Sequence, residues 1–159
     1  MSTKAHWEQI YSSKQVKSLG WYVPHIQPSL DWVKALKLGL DTPIIDIGGG
    51  ASTLVDDLVA VGYQAITVLD ISKSALSSAK ARMRDKAGLA AWIEADITLI
   101  DLPADRYKVW HDRAVFHFLP EADQQRYLNT LRCTLQPGGE VIIGTFALDG
   151  PDTCSGLPV

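Results

Sequence analysis

The sequence predicts an α/β protein, a doubly wound, mostly parallel sheet with helices on both faces. Three observations carry that expectation. Apolar, β-branched runs alternate with helix-patterned runs between residues 43 and 146, the order that builds parallel strands joined by crossover helices. Three consecutive glycines, Gly48 to Gly50, close the first apolar run and open a helical one, at the turn where such sheets admit ligands. A chain of 159 residues that is 47% hydrophobic can bury one core and has little room for a second.

The elements follow in chain order. TKAHWEQIYSS and PSLDWVKALKLG have helical patterning and are joined by SLGWYVPHIQ, which places Trp21, Tyr22 and His25 in a loop; residues 1–42 are therefore expected to form a helical cap or lid. PIIDI (43–47) is the first strand and STLVDDLVAVG the helix after it, with Thr53 as its N-cap and Gly62 as its C-cap. AITVLDI (65–71) is the second strand, followed by SKSALSSAKARMRDK, which Ser72 would cap and Gly88 would close. AAWIEADI (90–97) and YKVWHDRAVF (107–116) are further strands. EADQQRYLNTLRCTL is the last helix, Pro137-Gly138-Gly139 ends it, and GEVIIGTF (139–146) is the last strand. Residues 43–146 thus form the core, and the tail 147–159, rich in Gly, Pro, Ser and Asp, is expected to be irregular.

The residues around the glycines discriminate between ligands. Asp70 ends the second strand roughly 20 residues downstream, where an acid takes a ribose hydroxyl in nucleotide sites. A pyrophosphate would use the positive start of the following helix and a third glycine for close packing. Thr53 stands at that third position, Asp46 precedes the glycines, and Asp56 and Asp57 fall in the first turn of the helix. Those carboxylates suit the helix dipole and repel a phosphate, so a nucleoside with a cationic group fits better. A dinucleotide-binding dehydrogenase is the disfavoured alternative.

DIGGGAS resembles the first motif of class I S-adenosylmethionine-dependent methyltransferases, D/E-x-G-x-G-x-G, with Asp46, Gly48 and Gly50 in place and Ser52 where the last glycine would stand. Asp70 and Ile71 resemble that family's ribose-binding pair after the second strand, and Ala95, Asp96 and Ile97 its adenine-contacting segment. WHDRAVFHFL (110–119) and LQPGGEVIIGTF (135–146) resemble its fourth and fifth strands. The resemblance implies a Rossmann-like sheet of order 3-2-1-4-5 and S-adenosylmethionine as cofactor, with S-adenosylhomocysteine as product. Its implied cofactor residues are Asp46, Gly48, Gly49, Gly50, Asp70, Ile71, Asp96 and Ile97. The opening HWEQIYSS and GWYVPH resemble N-terminal segments of small methyltransferases acting on protein lysines or small molecules, which makes Trp7, Tyr11 and above all Trp21 candidate lid residues. Family members usually continue into a hairpin that supplies strands 6 and 7, which this chain is expected to lack. GEVIIGTF would then be an apolar edge, covered by the tail or by a second copy in a homodimer. A form that binds cofactor without turning over is a further alternative.

Methyl transfer from a sulfonium demands alignment and exclusion of water, with a base only where the acceptor arrives protonated. The candidates at the end of the fourth strand are Asp112, to orient the acceptor or the methionine ammonium, and His117, to accept a proton; His111 is read as structural. No N-P-P-Y or D-P-P-Y sequence follows that strand, against adenine-N6 or glutamine-amide methylation, and no C-x-x-C or H-E-x-x-H spacing marks a metal site. Cys133 and Cys154 lack evident partners. A net charge of −3 gives no general attraction to nucleic acid or to anionic membrane. No apolar run approaches the ~20 residues of a membrane span, and the N-terminus has no signal-like apolar core, so a reduced cytoplasmic setting is expected.

Overall fold

The computed structural model describes residues 3–159. Two helices, α1 (Thr3–Ser13) and α2 (Gln27–Ala35), precede β1 (Ile44–Ile47). The alternation then runs α3 (Leu54–Val61), β2 (Ile66–Asp70), α4 (Lys73–Met83), β3 (Ala90–Glu94), β4 (Tyr107–Arg113), α5 (Glu121–Thr134) and β5 (Leu135–Gly144). All four pairings are parallel and the strand order is β3-β2-β1-β4-β5, as the resemblance implies.

Every residue of β1 and β2 is buried because helices cover both faces. Alternation along β1 divides the core: Ile44 faces Leu30 and Val33 of α2, Leu54, Val55 and Leu58 of α3 and Leu76 of α4. Ile45 and Ile47 face the opposite side, where Trp110, Ile97 and Tyr127 of α5 pack. Enclosing an aliphatic side chain such as Leu58, fully buried here, contributes about 1.5–3 kcal/mol. These contacts fix the carboxyl ends of β1, β2 and β4 side by side, and the site is built there.

Several boundaries differ from the sequence expectation for local reasons. Ser72 does cap α4, accepting the Ala75 N–H at 3.1 Å, and Gly62 does close α3 at φ 108°. Thr53 stands at the N-cap of α3 without a side-chain capping bond: the Ser52 hydroxyl accepts the Leu54 N–H at 3.1 Å, while the Thr53 hydroxyl donates to the Val23 carbonyl and so ties the N-terminal loop to the helix. Gly88 is not a C-cap, since α4 ends at Met83 with Arg84 as its C-cap at φ 54°, and a 3-10 segment continues to Leu89. Pro137-Gly138-Gly139 lies inside β5, where the ladder to β4 skips from the Tyr107–Leu135 pair to the Val109–Glu140 pair, so these residues with Gln136 form the irregular, bulged stretch.

The tail is not irregular throughout. Thr153–Cys154 (β6) and Leu157–Pro158 (β7) pair antiparallel around Ser155 and Gly156, whose φ values of 55° and 80° are those of a type I′ turn. This hairpin forms its own sheet and does not pair with β5. Val141 and Ile143 of β5 are 43% and 38% exposed.

Candidate functional site

Beyond β1 the chain turns through Gly48 at φ 68°, where a Cβ would overlap Val115. A Cβ on Gly49 would overlap Asp46 Oδ2. Glycine is therefore required here to let β1's own carboxylate and the turn after β4 close on the main chain. The Gly50 N–H donates to Asp70 Oδ2 at 2.9 Å, and Asp70 Oδ1 accepts the Ser72 N–H at 2.8 Å. Asp70 thus links the glycine turn to the start of α4.

A cleft of about 560 Å³ opens over this turn. Asp46, Gly48, Gly49, Asp70, Ile71, Asp96, Ile97, Trp21 and His117 all line it; Gly50 and Asp112 do not. Asp96 is held by an Asx turn, accepting the Thr98 N–H at 2.9 Å and hydroxyl at 2.7 Å. Burial pushes the Asp70 carboxyl up to about 6, against the opposing pull of the Ser72 and Gly50 N–H groups.

Asp46 is differently placed. It is buried, its Oδ1 pairs with His111 Nδ1 at 2.7 Å, and its Oδ2 has no partner. An acceptor oxygen left alone beside a cleft is costly unless a donor arrives to meet it. Asp56 and Asp57, by contrast, do not act on the cleft as the sequence suggested. Asp56 is bound by Arg82, with Nη2 at 2.7 Å and Nε at 3.1 Å, and Asp57 accepts His25 Nδ1 at 2.7 Å and the Ile26 N–H at 3.1 Å. The pairing partners lie on α4 and the N-terminal loop, so both acids fasten neighbouring elements. The negative character of the turn rests on Asp46 and Asp70.

The two residues expected to carry chemistry separate. Asp112 is fully enclosed: Oδ1 accepts the Val115 N–H at 2.7 Å, and Oδ2 accepts the Phe116 N–H at 3.1 Å and the Tyr127 hydroxyl at 2.7 Å. It shapes the turn after β4 without facing the cleft. Burial raises its pKa to about 6. Nor does it pair with Arg113, whose Nη2 donates instead to the Trp21 carbonyl at 3.3 Å. His117 stands in a short 3-10 helix, Phe116–Phe118, with both ring nitrogens buried and unpartnered. Its ring lies 4.3 Å from Phe118 and 4.8 Å from Phe146, and desolvation lowers its pKa. A neutral imidazole with a free nitrogen at a cleft can accept a proton.

The N-terminal segment roofs the cleft. Trp7, Tyr11, Trp21 and Phe118 form a set of ring contacts at 5.2–6.4 Å. Burial raises the pKa of the Tyr11 hydroxyl, with the Asp70 charge adding to the shift. α1 is held down by Glu8, which accepts the Ser72 hydroxyl at 2.7 Å and the Ser74 N–H at 3.2 Å, and bonds the Ser74 hydroxyl. Those donors keep Glu8 below the usual carboxylate range. Lys4 pairs with Glu94 at 2.7 Å. His6 Nε2 meets the Ser155 carbonyl at 3.0 Å, which brings the tail hairpin to the cleft. Glu8, Val115, Phe146 and Ser155 were not foreseen; a Glu one turn along a helix carries no sign of the distant N-cap it meets.

A family model described as "Methyltransferase domain" matches residues 44–139. Among curated proteins, the eEF1A lysine and N-terminal methyltransferases of Bos taurus and Homo sapiens are 23% and 22% identical over 137 residues, covering 86% of this chain and 19% of theirs. Among solved structures, one from the study of disulfide-to-thioacetal conversion in echinomycin biosynthesis superimposes with TM-score 0.76 at 23% identity, over 89% of this chain and 59% of that one. The glycopeptide N-methyltransferase MtfA complexed with S-adenosylmethionine gives 0.63 at 20% identity, over 72% and 52%. The chain therefore spans about a fifth of the curated relatives' length and a little over half of these solved chains. At such identities the structural likeness speaks for the fold.

Proposed function

The chain belongs to the methyltransferase-domain family, and on that premise we propose that it transfers a methyl group from S-adenosylmethionine to a small-molecule or protein-lysine acceptor by in-line displacement. The observation that carries this reading is the partnerless Asp46 Oδ2 beneath the glycine turn. It is a buried anionic acceptor suited to an ammonium and hostile to a phosphate. In this reading Asp70 meets the ribose, and Ile71, Asp96 and Ile97, which line the cleft, hold the adenine.

When bound, the sulfonium supplies a methyl carbon already activated for displacement. The protein's part is alignment and exclusion of water. Trp7, Tyr11 and Trp21 cover the cleft from the N-terminal side, and Phe118 and Phe146 line it around His117. His117 accepts the proton that a protonated nucleophile must lose. Asp112 acts behind it, holding the Val115 and Phe116 N–H groups and so the turn on which His117 stands.

The aromatic roof favours an acceptor that is a small molecule or a slender side chain; a lysine acceptor draws support from the lysine methyltransferases of similar sequence. The open outer edge of β5, with Val141 and Ile143 exposed, supports pairing with a second copy. A strictly monomeric species in light scattering across protein concentrations would remove that part of the reading. Calorimetry tests the cofactor: S-adenosylhomocysteine should bind and NAD should not, and NAD binding alone would overturn the reading. Release of methyl label into a mixed panel of amines, thiols and lysine peptides then identifies the acceptor; binding without transfer to any of them would leave a cofactor-binding module.

A further inference from the structure

Three buried polar side chains run in a line from the N-terminal cap to the glycine turn. Ser29 lies in α2, His111 in β4 and Asp46 in β1, none more than 2% exposed. Ser29 Oγ meets His111 Nε2 at 2.9 Å, and His111 Nδ1 meets Asp46 Oδ1 at 2.7 Å. Burying such groups costs free energy even when they are bonded to one another, and apolar packing of the same volume commonly does better. A line of this kind in the middle of the sheet therefore calls for a use beyond stability.

Its directionality supplies one. A carboxylate only accepts, so a His111 Nδ1–H donates to Asp46, while Nε2 bonds the Ser29 hydroxyl on the other side of the ring. Both ring nitrogens are spoken for, and the ring is fixed in plane. The bond at Oδ1 in turn fixes the rotation of the Asp46 carboxylate and leaves Oδ2 lying against Gly49 with no partner.

We infer that His111 is a positioning residue for the cofactor: it sets Asp46 Oδ2 to receive the ammonium of the amino-acid end, and through Ser29 it makes the seating of α2 part of that site. This rests on the S-adenosylmethionine reading above. His111 never touches the ligand in this scheme; it acts through Asp46 alone.

The test compares S-adenosylhomocysteine with 5′-methylthioadenosine, which shares the adenosine and sulfur and lacks the amino-acid end, ammonium and carboxylate together. In His111→Leu, the homocysteine ligand should bind about tenfold more weakly, while methylthioadenosine changes by less than about twofold. His111→Asn, whose amide can donate to Asp46, should recover most of the loss. Ser29→Ala, a milder change, should weaken S-adenosylhomocysteine by about threefold and leave methylthioadenosine unchanged; it decides the matter if the leucine variant does not fold. Equal losses for both ligands, or no loss for either, would overturn the inference. If the unaltered protein binds neither ligand, the cofactor reading itself falls, and this one with it.

Discussion

His117 and Asp112 stand five residues apart in one turn and differ in what they have to bond with. Asp112 accepts three hydrogen bonds from its own chain; His117 makes none. Because desolvation lowers the His117 pKa, the ring is neutral, and able to act as a base, at pH values above its depressed midpoint. Activity should therefore be present at neutral pH and lost as pH falls through a midpoint below about 6.5. In His117→Gln, kcat/KM should drop by about a hundredfold or more and lose that acid limb. A profile unchanged in shape would remove His117 as the base. Asp112 gives the opposite sign, through stability. Its folded pKa of about 6 lies above the ordinary carboxyl value of 3.8, so the folded state binds its proton more tightly. The stability it contributes is complete below pH 3.8 and disappears as pH rises through 6. Relative to Asp112→Asn, which does not titrate, the unaltered protein should lose on the order of 2–3 kcal/mol between pH 4 and pH 7. Urea unfolding at both pH values measures the difference, and a constant gap would show that hydrogen bonding to the carboxylate outweighs its burial.

Among the elements, α1 depends most on a few contacts. It contributes no buried residue, and Glu8 ties it to the start of α4 through Ser72 and Ser74. Glu8→Ala should leave the core intact, since the Ala75 N–H keeps its bond to Ser72. Amide exchange in Thr3–Ser13 should quicken by about tenfold, with β1 and β4 unaffected; unchanged exchange would mean that the aromatic contacts of Trp7 and Tyr11 suffice to hold the helix. The sequence shows α1's existence by its periodicity and shows nothing of this contact, because Glu8 meets a cap 64 residues away. The same distinction runs through the site. Gly48, Asp46 and Asp70 were legible because backbone freedom and strand-end position follow from local sequence. Asp56 and Asp57, expected at the helix start as charges that repel a phosphate, are instead held by Arg82 and His25, which reach them from other elements. His111 looked structural on its own, and its bond to Asp46 spans 65 residues. The β6–β7 hairpin was missed because two-residue strands carry no periodicity, and only the Ser155-Gly156 turn hints at them.

At the scale of the molecule, the cleft is closed from three directions that are far apart in sequence. The sheet ends supply Asp46 and Asp70, α1 and the loop after it supply Trp7, Tyr11 and Trp21, and the hairpin supplies Cys154 and Ser155. A ligand that fills the cleft would contact all three, and its binding free energy would then add to the stability of the whole assembly rather than of one loop. At a concentration about one hundredfold above its Kd, S-adenosylhomocysteine should stabilise the protein by about 2.7 kcal/mol and raise Tm by roughly 5–10 °C. The distribution of the effect matters more than its size. Slowed amide exchange should appear in the glycine turn and also in α1 and the Thr153–Pro158 hairpin, since Glu8 ties α1 to the start of α4, Lys4 ties it to Glu94 of β3, and His6 ties the hairpin to α1. Tm measured alongside exchange separates two cases. A rise with protection confined to the glycine turn would mean that cofactor binds without engaging the roof, and closure would then have to await the acceptor; protection in all three regions would mean that the cofactor alone assembles the enclosed site.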